Sequence, residues 1–198
     1  MSDFPAAAAI VLAAGLGERF GGDKLVAELD GRPLLQHVLD TAAGAALEPV
    51  VVVMAPAGQR LEAAISWRNE IQVVNKDPAR GLSSSLQAGL LALQEAAPET
   101  GRVLVLLGDQ PRLAGAQVGV LLSQAADPGR PISVPRYEDG RPGNPVLLER
   151  AAWSLAAELR GDRGMAQLFV ERPELVRYVD LPGLNPDVDK PADLDGLR

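Results

Sequence analysis

Three short apolar runs constrain the fold of this chain more than any other feature of its sequence. They are Ala8–Leu12, Pro49–Met54 and Val103–Leu107, and each has the length of a β-strand. A strand that is apolar on both faces is typical of a sheet covered by helices on both sides. Because stretches with helical spacing separate the runs, the sequence predicts an α/β fold, with an open, mostly parallel sheet inside a three-layer sandwich.

The remaining predicted elements follow the same alternation. Apolar periodicity predicts helices at Pro33–Ala46, Gln59–Ile65, Leu82–Ala97, Ala114–Ala126, Arg150–Leu159 and Met165–Val170. Shorter apolar runs predict strands at Ile71–Val74, Ile132–Val134, Pro145–Leu148 and Leu175–Val179. The sequence shows no repeat, low-complexity stretch or linker, so we expect residues 1–198 to form a single domain.

Composition excludes several classes of function. The formal net charge is −7, which argues against nucleic-acid binding because that normally requires a basic surface. The chain has no cysteine, and therefore no disulfide, thiolate nucleophile or thiolate metal site. No apolar run approaches the ~20 residues of a membrane-spanning helix, and no basic segment precedes the first strand as in a signal peptide. We expect a cytoplasmic protein that contacts neither nucleic acid nor membrane.

A glycine-rich loop follows the first predicted strand. Four glycines and two cations lie close together there: Gly15, Gly17, Gly21, Gly22, Arg19 and Lys24. Glycines let the backbone approach a ligand closely, and successive N–H groups in such a loop form an anion-binding concavity. Arginine and lysine add donors suited to phosphates. The loop therefore predicts a site for the phosphates of a nucleotide.

Two common phosphate-binding loops do not match this spacing. A Walker A loop places Ser or Thr after its lysine, but Leu25 follows Lys24. The dinucleotide fingerprint G-x-G-x-x-G would have Phe20 at its third glycine. The second strand also ends in Met54 and Ala55, without an acid to bind a ribose.

A second unusual segment follows the predicted strand Val103–Leu107. It reads Gly-Asp-Gln-Pro and places Asp109 at the carboxyl end of the strand, where ligands bind in open α/β sheets. Mg²⁺ commonly uses one or two carboxylates together with substrate phosphates. Asp109 could also be an ordinary turn or N-cap residue. Its occurrence together with a phosphate loop favours the metal interpretation.

Longer motifs resemble a known family. The segment LAAGLGERFGGDKL resembles the L-A-A-G-x-G-x-R-x-G-x-x-K signature of nucleotidyltransferases that activate sugars and cofactors with a nucleoside triphosphate. Later segments occur in the order found in molybdenum cofactor cytidylyltransferases, which are MobA-like NTP transferases: PARGLSSSL (78–86), LGDQP (107–111), RPGNPVL (141–147), GDRG (161–164) and DVDKPADL (187–194). The resemblance implies a Rossmann-like sandwich of the nucleotide-diphospho-sugar transferase type.

This resemblance implies a role for particular residues. Backbone groups would line the nucleotide at Leu12, Ala13, Ala14, Gly15 and Gly17. Arg19 and Lys24 would contact its phosphates and act with Asp109 in catalysis. The base and ribose would lie near Gly81, Ser83 and Ser84. Asp109 and Asp189 would hold Mg²⁺, or alternatively Mn²⁺, with Asp187 as a weaker candidate. The acceptor would be bordered by Gly143, Asn144, Asp162 and Arg163.

The implied reaction transfers CMP from CTP to the terminal phosphate of the molybdenum cofactor and releases pyrophosphate. The resemblance also implies transient contact with molybdenum hydroxylases or their chaperones. Two positions depart from the family pattern: Asn144 stands where relatives often have His, and Lys190 where they often have Thr. The first departure bears on the acceptor pocket and the second on the surroundings of the metal.

Two other functions agree with the same residues. The protein could use another nucleotide or acceptor, such as GTP with the same cofactor, or CTP with a sugar or polyol phosphate. It could also be an accessory protein that binds the cofactor without transferring a nucleotide. The serines of GLSSSL favour cytidine within the family, although Ser83 or Ser84 could equally cap the helix that begins there.

Overall fold

The computed structural model describes residues 6–15, 17–56, 59–124, 127, 129–156, 158–161 and 164–198. The strands are β1 (Ala8–Ala13), β2 (Glu28–Leu29), β3 (Arg32–Pro33), β4 (Val50–Met54), β5 (Ile71–Val74), β6 (Arg102–Leu107), β7 (Ile132–Arg136), β8 (Val146–Glu149) and β9 (Val176–Asp180). The helices are α1 (Leu34–Gly44), α2 (Gln59–Ala64), α3 (Leu82–Ala96), α4 (Gly115–Gln124), α5 (Trp153–Ala156), α6 (Ala166–Glu171) and α7 (Pro191–Asp195). Within these ranges, none of the helices has both the length and the apolarity needed to cross a membrane.

Seven of the described strands form a mixed, mostly parallel sheet in the order β5-β4-β1-β6-β8-β7-β9, and β2 and β3 form a separate two-stranded sheet. The pairs β5–β4, β4–β1, β1–β6 and β7–β9 are parallel. Strand β8 runs antiparallel to β6 and to β7. The predicted mostly parallel mixed sheet is therefore confirmed.

Helices cover both faces of this sheet. Side chains of β1 alternate between the faces: Val11 packs in a cluster with Leu35 of α1 and Leu121 of α4, whereas Ile10 packs with Leu86 of α3. All of these side chains are buried. Because both faces of the central strands are apolar, neither layer of helices can be absent without exposing half of the core. This three-layer arrangement confirms the predicted sandwich.

Several predicted boundaries differ from the structure. The helix predicted at Arg150–Leu159 is only a 3₁₀ turn at Arg150–Ala152 followed by the four residues of α5. Strand β7 extends two residues beyond the predicted Ile132–Val134. The antiparallel pair β2–β3 and the short helix α7 were not predicted. Two-residue strands and a five-residue helix are too short for periodicity to reveal.

The topology brings four connecting segments to one edge of the sheet. Strands β1, β6, β7 and β9 all run in the same direction, so the segments that follow them leave at the same end. These segments are the glycine loop, the Gly-Asp-Gln-Pro segment, the turn between β7 and β8, and residues 181–190. Ligand sites in open α/β sheets lie at this end.

Close packing between α3 and the sheet depends on Gly89. A Cβ atom at this position would lie 2.6 Å from Cγ2 of Ile10 and 3.0 Å from Cγ2 of Val53. Both neighbours are β-branched and fully buried, so they have little freedom to move aside. The absence of a side chain therefore lets α3 lie close to β1 and β4.

We predict that Gly89→Ala destabilises the protein by about 1–3 kcal/mol because of overpacking. Alanine favours helix by about 1 kcal/mol relative to glycine, which offsets part of this loss. Gly44→Ala in α1 is the control, since no described atom beyond its own stretch of helix lies within 4 Å of the place where a Cβ atom would be. Urea unfolding of both variants measures the difference. Equal stability of the two variants would contradict the packing argument.

Candidate active site

A cleft of about 590 Å³ opens at this edge of the sheet. One wall is the glycine loop, and the other is the start of α3 with the turn before it. The lining of the cleft includes Ala14, Gly15, Gly17, Arg19 and Lys24 on the first wall, Gly81, Leu82 and Ser85 on the second, and Asp189 at the rim. Leu12 and Ala13, which were also predicted to line the nucleotide, are buried at the end of β1.

The glycine loop is built around Gly17. Its carbonyl oxygen accepts hydrogen bonds from the N–H groups of Phe20, Gly21 and Gly22 at 3.0, 3.1 and 3.3 Å. Its φ of +63° is in the left-handed region, and a Cβ atom there would lie 2.6 Å from the carbonyl oxygen of Gly22. Position 17 therefore requires glycine. Because three N–H groups of the loop are bonded internally, other donors of this wall must serve an anion in the cleft.

Two cations and two carboxylates meet at the mouth of the cleft. Lys24 donates from Nζ to Oδ2 of Asp109 at 2.7 Å and lies 3.6 Å from Oδ1 of Asp189. Arg19 places Nη1 3.4 Å from Oδ2 of Asp189. The Lys24–Asp109 pair is largely buried, whereas Arg19 is mostly exposed. The structure therefore brings together four predicted residues that come from three separate segments of the sequence.

The carboxylates fit a divalent cation. The Oδ1 atom of Asp109 is buried and has no hydrogen-bond partner in the described part of the chain. An unpaired buried oxygen is costly unless a ligand or water satisfies it. Asp109 and Asp189 supply hard oxygen ligands of the kind that Mg²⁺ and Mn²⁺ prefer. Within the described ranges, no group of three or more His, Asp or Glu side chains is arranged to hold a metal.

Backbone hydrogen bonds fix the position of Asp189. The carboxylate of Asp193 accepts the N–H groups of Asp189 at 2.8 Å and Lys190 at 2.7 Å, and these bonds lower the pKa of Asp193. The N–H of Val188 donates to the carbonyl of Asp109 at 3.0 Å. The segment that carries Asp189 is therefore hydrogen-bonded directly to Asp109, the residue with which Asp189 would share a metal ion.

Asp187 lies beside the same carboxylates. Desolvation of its carboxyl group, together with the negative charges of Asp109 and Asp189, raises the pKa of Asp187 although the residue keeps exposed surface. A hydrogen bond from Gln110 at 2.6 Å opposes this effect. Asp187 is therefore an unfavourably placed charge in the absence of a cation.

The three serines at the start of α3 lie in different surroundings. Ser84 accepts a hydrogen bond from Nδ2 of Asn75 at 2.8 Å and donates to the carbonyl of Gly81 at 2.8 Å, and Ser83 is buried. Ser85 accepts from the same amide at 3.0 Å and lines the cleft. The role of Ser83 and Ser84 at the base and ribose stays a prediction, and Ser85 is the serine on the cleft wall.

The alternative of a serine cap is wrong, since Gly81 is the N-cap of α3 and no side chain caps it. Gly81 has φ +86°, which only glycine adopts readily. Sequence analysis missed both Asn75 and Ser85. Asn75 could have been found, because it is a polar residue directly after a predicted strand. Helical spacing alone did not show which of the three serines faces the cleft.

The predicted acceptor residues lie on two segments. Gly143 and Asn144 belong to the turn between β7 and β8, where the carbonyl of Asn144 accepts hydrogen bonds from the Tyr137 hydroxyl at 2.5 Å and from Nδ2 of Asn185 at 3.0 Å. Burial raises the pKa of Tyr137 to about 12, so its hydroxyl stays a donor at neutral pH. Asp162 and Arg163 lie outside the described residues.

Comparison with known proteins identifies the family to which this chain belongs. The family model for the MobA-like NTP transferase domain matches residues 9–177. Nicotine blue oxidoreductase of Paenarthrobacter nicotinovorans is 32% identical over 187 residues, which cover 90% of this chain and 89% of that protein. The bifunctional protein GlmU of Bordetella petrii is 30% identical over 169 residues, and the chain spans 34% of its length.

Solved structures extend the likeness to almost the whole chain. The crystal structure of Rv0371c from Mycobacterium tuberculosis H37Rv is 29% identical, covers 98% of both chains and superimposes with a TM-score of 0.86. The same protein in complex with manganese superimposes with a TM-score of 0.80. The sheet order and the cleft define the class as open α/β proteins with a ligand site beyond the carboxyl ends of their parallel strands. Within that class, the chain belongs to the MobA-like NTP transferase family, as its motifs predicted.

We predict that Asp187→Asn stabilises the metal-free protein near neutral pH. The pKa of Asp187 is raised above its ordinary value of 3.8, so its ionised form weakens the folded state as pH rises through the raised pKa. Asparagine keeps an acceptor for Gln110 and removes the charge. The variant should unfold at a higher temperature than the wild type at about pH 7 in a chelator, with the difference lost at about pH 3.

Asp180→Asn is the matched control. Asp180 is exposed, and the hydrogen bond from Arg136 lowers its pKa, so its charge favours the folded state. Its replacement should leave thermal stability unchanged or reduce it. A stabilising effect in both variants would indicate relief of general negative charge rather than of the carboxylate cluster.

Proposed function

We propose that this protein transfers CMP from CTP to the terminal phosphate of the molybdenum cofactor, with release of pyrophosphate. The observation that carries the proposal is the cluster of Lys24, Asp109 and Asp189 at the mouth of the glycine-loop cleft, with one buried oxygen of Asp109 unpaired among the described residues. Cations next to a glycine loop bind phosphates, and paired carboxylates bind a divalent cation. Both are needed to use a nucleoside triphosphate.

The reaction requires in-line displacement at the α-phosphorus. An oxygen of the acceptor phosphate forms a bond to that phosphorus, and the bond to the bridging oxygen of the β-phosphate breaks. The acceptor phosphate is largely ionised at neutral pH, so no general base is needed. Negative charge develops on the pyrophosphate, and Lys24 and Arg19 would stabilise it.

The residues assigned to the metal are Asp109 and Asp189, and they would hold Mg²⁺ or Mn²⁺. When bound, this ion supplies charge neutralisation at the phosphates and a template for their orientation. Lys24 bridges the same two carboxylates, so it lies within reach of whatever anion occupies the cleft. Its ammonium group would then orient the phosphates relative to the carboxylates.

Cytidine is proposed as the base on the strength of the family motif GLSSSL. In the structure, Gly81 and Ser85 of this motif line the cleft wall opposite the glycine loop. Backbone and hydroxyl groups at a helix start can bind the edge of a pyrimidine, and a helix N-terminus also favours phosphate. GTP with the same acceptor, or CTP with a sugar or polyol phosphate, would use the same cleft.

A second candidate function comes from a named relative. One relative that this chain resembles over most of its length is called nicotine blue oxidoreductase. By analogy, this chain would be an oxidoreductase whose cleft binds the phosphates of a nucleotide cofactor. The buried Lys24–Asp109 pair favours transfer over this alternative, because a redox cofactor does not need paired carboxylates beside its phosphates.

A substrate panel tests these functions. The purified protein is incubated with Mg²⁺ or Mn²⁺, molybdenum cofactor and each of the four triphosphates, and pyrophosphate is measured. We expect release with CTP. Release with GTP alone, or only with a sugar or polyol phosphate, would instead support the related transferases. A parallel assay adds NADH or NADPH together with a redox dye as electron acceptor, and oxidation of the nucleotide coupled to reduction of the dye, without pyrophosphate release, would support the oxidoreductase. Tight binding of the molybdenum cofactor without turnover in either assay would support an accessory protein.

We predict that Asp109→Ala abolishes pyrophosphate release while leaving the fold intact. The loss of this largely buried carboxylate would remove a proposed metal ligand and leave Lys24 without its short ion pair. Circular dichroism and thermal unfolding check the fold, and a pyrophosphate assay checks turnover.

Asp195→Ala is the control for this variant. Asp195 pairs with Arg198 on the exposed face of α7, and its replacement should leave turnover unchanged. Near wild-type turnover in Asp109→Ala would overturn the metal assignment.

A further inference from the structure

The segment between β9 and α7 has little regular structure but carries Asp187 and Asp189. Residues 181–190 form no helix or strand, so hydrogen bonds to the rest of the chain must determine where these carboxylates lie. A loop without such bonds would sample many positions, and a metal site needs its ligands within a few tenths of an ångström. The bonds that hold this segment therefore matter for the site.

One buried amide makes three hydrogen bonds to the segment that carries the carboxylates. Gln110 is 6% exposed, and it donates from Nε2 to Oδ1 of Asp187 at 2.6 Å and to the carbonyl of Asn185 at 3.2 Å. Its Oε1 atom accepts from Nδ2 of Asn185 at 3.0 Å. Gln110 follows Asp109 directly in the chain, so one strand end supplies both a carboxylate and the group that binds the opposite segment.

The same amides reach the turn between β7 and β8. Nδ2 of Asn185, which donates to Gln110, also donates to the carbonyl of Asn144 at 3.0 Å. The Tyr137 hydroxyl donates to that carbonyl as well. A continuous set of hydrogen bonds therefore joins the turn at Asn144 to Asp187.

We propose that Gln110 is a positioning residue that holds the segment of Asp187 and Asp189 against Asp109 and thereby sets the affinity of the site for a divalent cation. The proposal rests on the proposed function only in assigning a cation to these carboxylates. Gln110 would touch neither metal nor nucleotide. It would act through its two hydrogen bonds to Asn185 and its hydrogen bond to Asp187.

The electrostatics of the site explain why a neutral donor is needed here. Asp187 and Asp109 repel each other, so the carboxylate of Asp187 would turn to solvent without a partner. A further cation at Asp187, added to Lys24 and Arg19, would neutralise its charge, whereas an amide donor holds the carboxylate and leaves its charge available. Partners that orient metal ligands in this way typically contribute about 10- to 100-fold in metal affinity.

The chain offers a close control in Gln117. This residue is also 6% exposed, and its Nε2 donates to the carbonyl of Pro182 at 2.8 Å in the same segment. Its Oε1 accepts from the N–H of Ala114 at 2.9 Å. Gln117 thus holds the beginning of the segment but makes no hydrogen bond to a carboxylate in the described part of the chain.

The experiment compares Gln110→Met with Gln117→Met. Methionine keeps the approximate size of glutamine and removes its hydrogen bonds, so both variants should lose similar thermal stability. Mn²⁺ binding is measured without nucleotide from the electron paramagnetic resonance signal of the free ion. We expect Gln110→Met to bind Mn²⁺ at least about tenfold more weakly than the wild type, and Gln117→Met to bind it with little change.

Turnover gives a second signature that a merely structural role would not produce. In the Gln110 variant, turnover should fall at low Mn²⁺ and recover as Mn²⁺ is raised, with KM for CTP little changed at saturating metal. If Gln110→Met does not fold, Asn185→Ala removes the other half of the amide pair and should weaken Mn²⁺ binding in the same way.

Three outcomes would overturn the proposal: equal Mn²⁺ affinity in Gln110→Met and the wild type, equal weakening in both glutamine variants, or absence of Mn²⁺ binding by the wild type. Failure of the proposed function has a different result. If the wild type binds Mn²⁺ and the Gln110 variant binds it more weakly, but no substrate pair releases pyrophosphate, the positioning role stands and the cytidylyl transfer does not.

Discussion

Parallel pairing of β1 with β6 is the constraint on which the rest of the site depends. The register aligns Leu12 with Leu107, and the pairing continues one step further where the N–H of Gly108 donates to the carbonyl of Leu12 at 3.0 Å. The glycine loop and Asp109 therefore leave the sheet side by side. Lys24, 85 residues away from Asp109 in sequence, comes within 2.7 Å of it because these two strands are neighbours.

Much of the fold followed from local sequence pattern. The central strands are continuous apolar runs, and the helices α1, α3 and α4 show apolar residues at helical spacing, so both could be predicted without knowledge of their partners. The β2–β3 pair and the short elements in place of the helix predicted at Arg150–Leu159 could not be predicted in this way. Each of these elements has only two to four residues, which is too few to show a period.

The candidate site divides in the same way. Glycines, cations and a strand-end carboxylate have recognisable types and spacing, and family motifs added Asp189. The roles of Gln110 and Asn185 have no such signal, since their bonds join residues 75 positions apart and either side chain alone is an ordinary buried amide. Ser85 was missed for a related reason, because sequence gives the period of α3 but not its rotation about its axis.

The energetics of the cleft support a binding role more directly than any motif does. A folded chain normally pairs its buried polar atoms and separates like charges. Here the buried Oδ1 of Asp109 has no partner among the described residues, and Asp187 is held beside two other carboxylates by a hydrogen bond from Gln110. Both features destabilise the protein by itself. A cation held by Asp109 and Asp189 would relieve both, and such a ligand would then contribute to the stability of the folded chain.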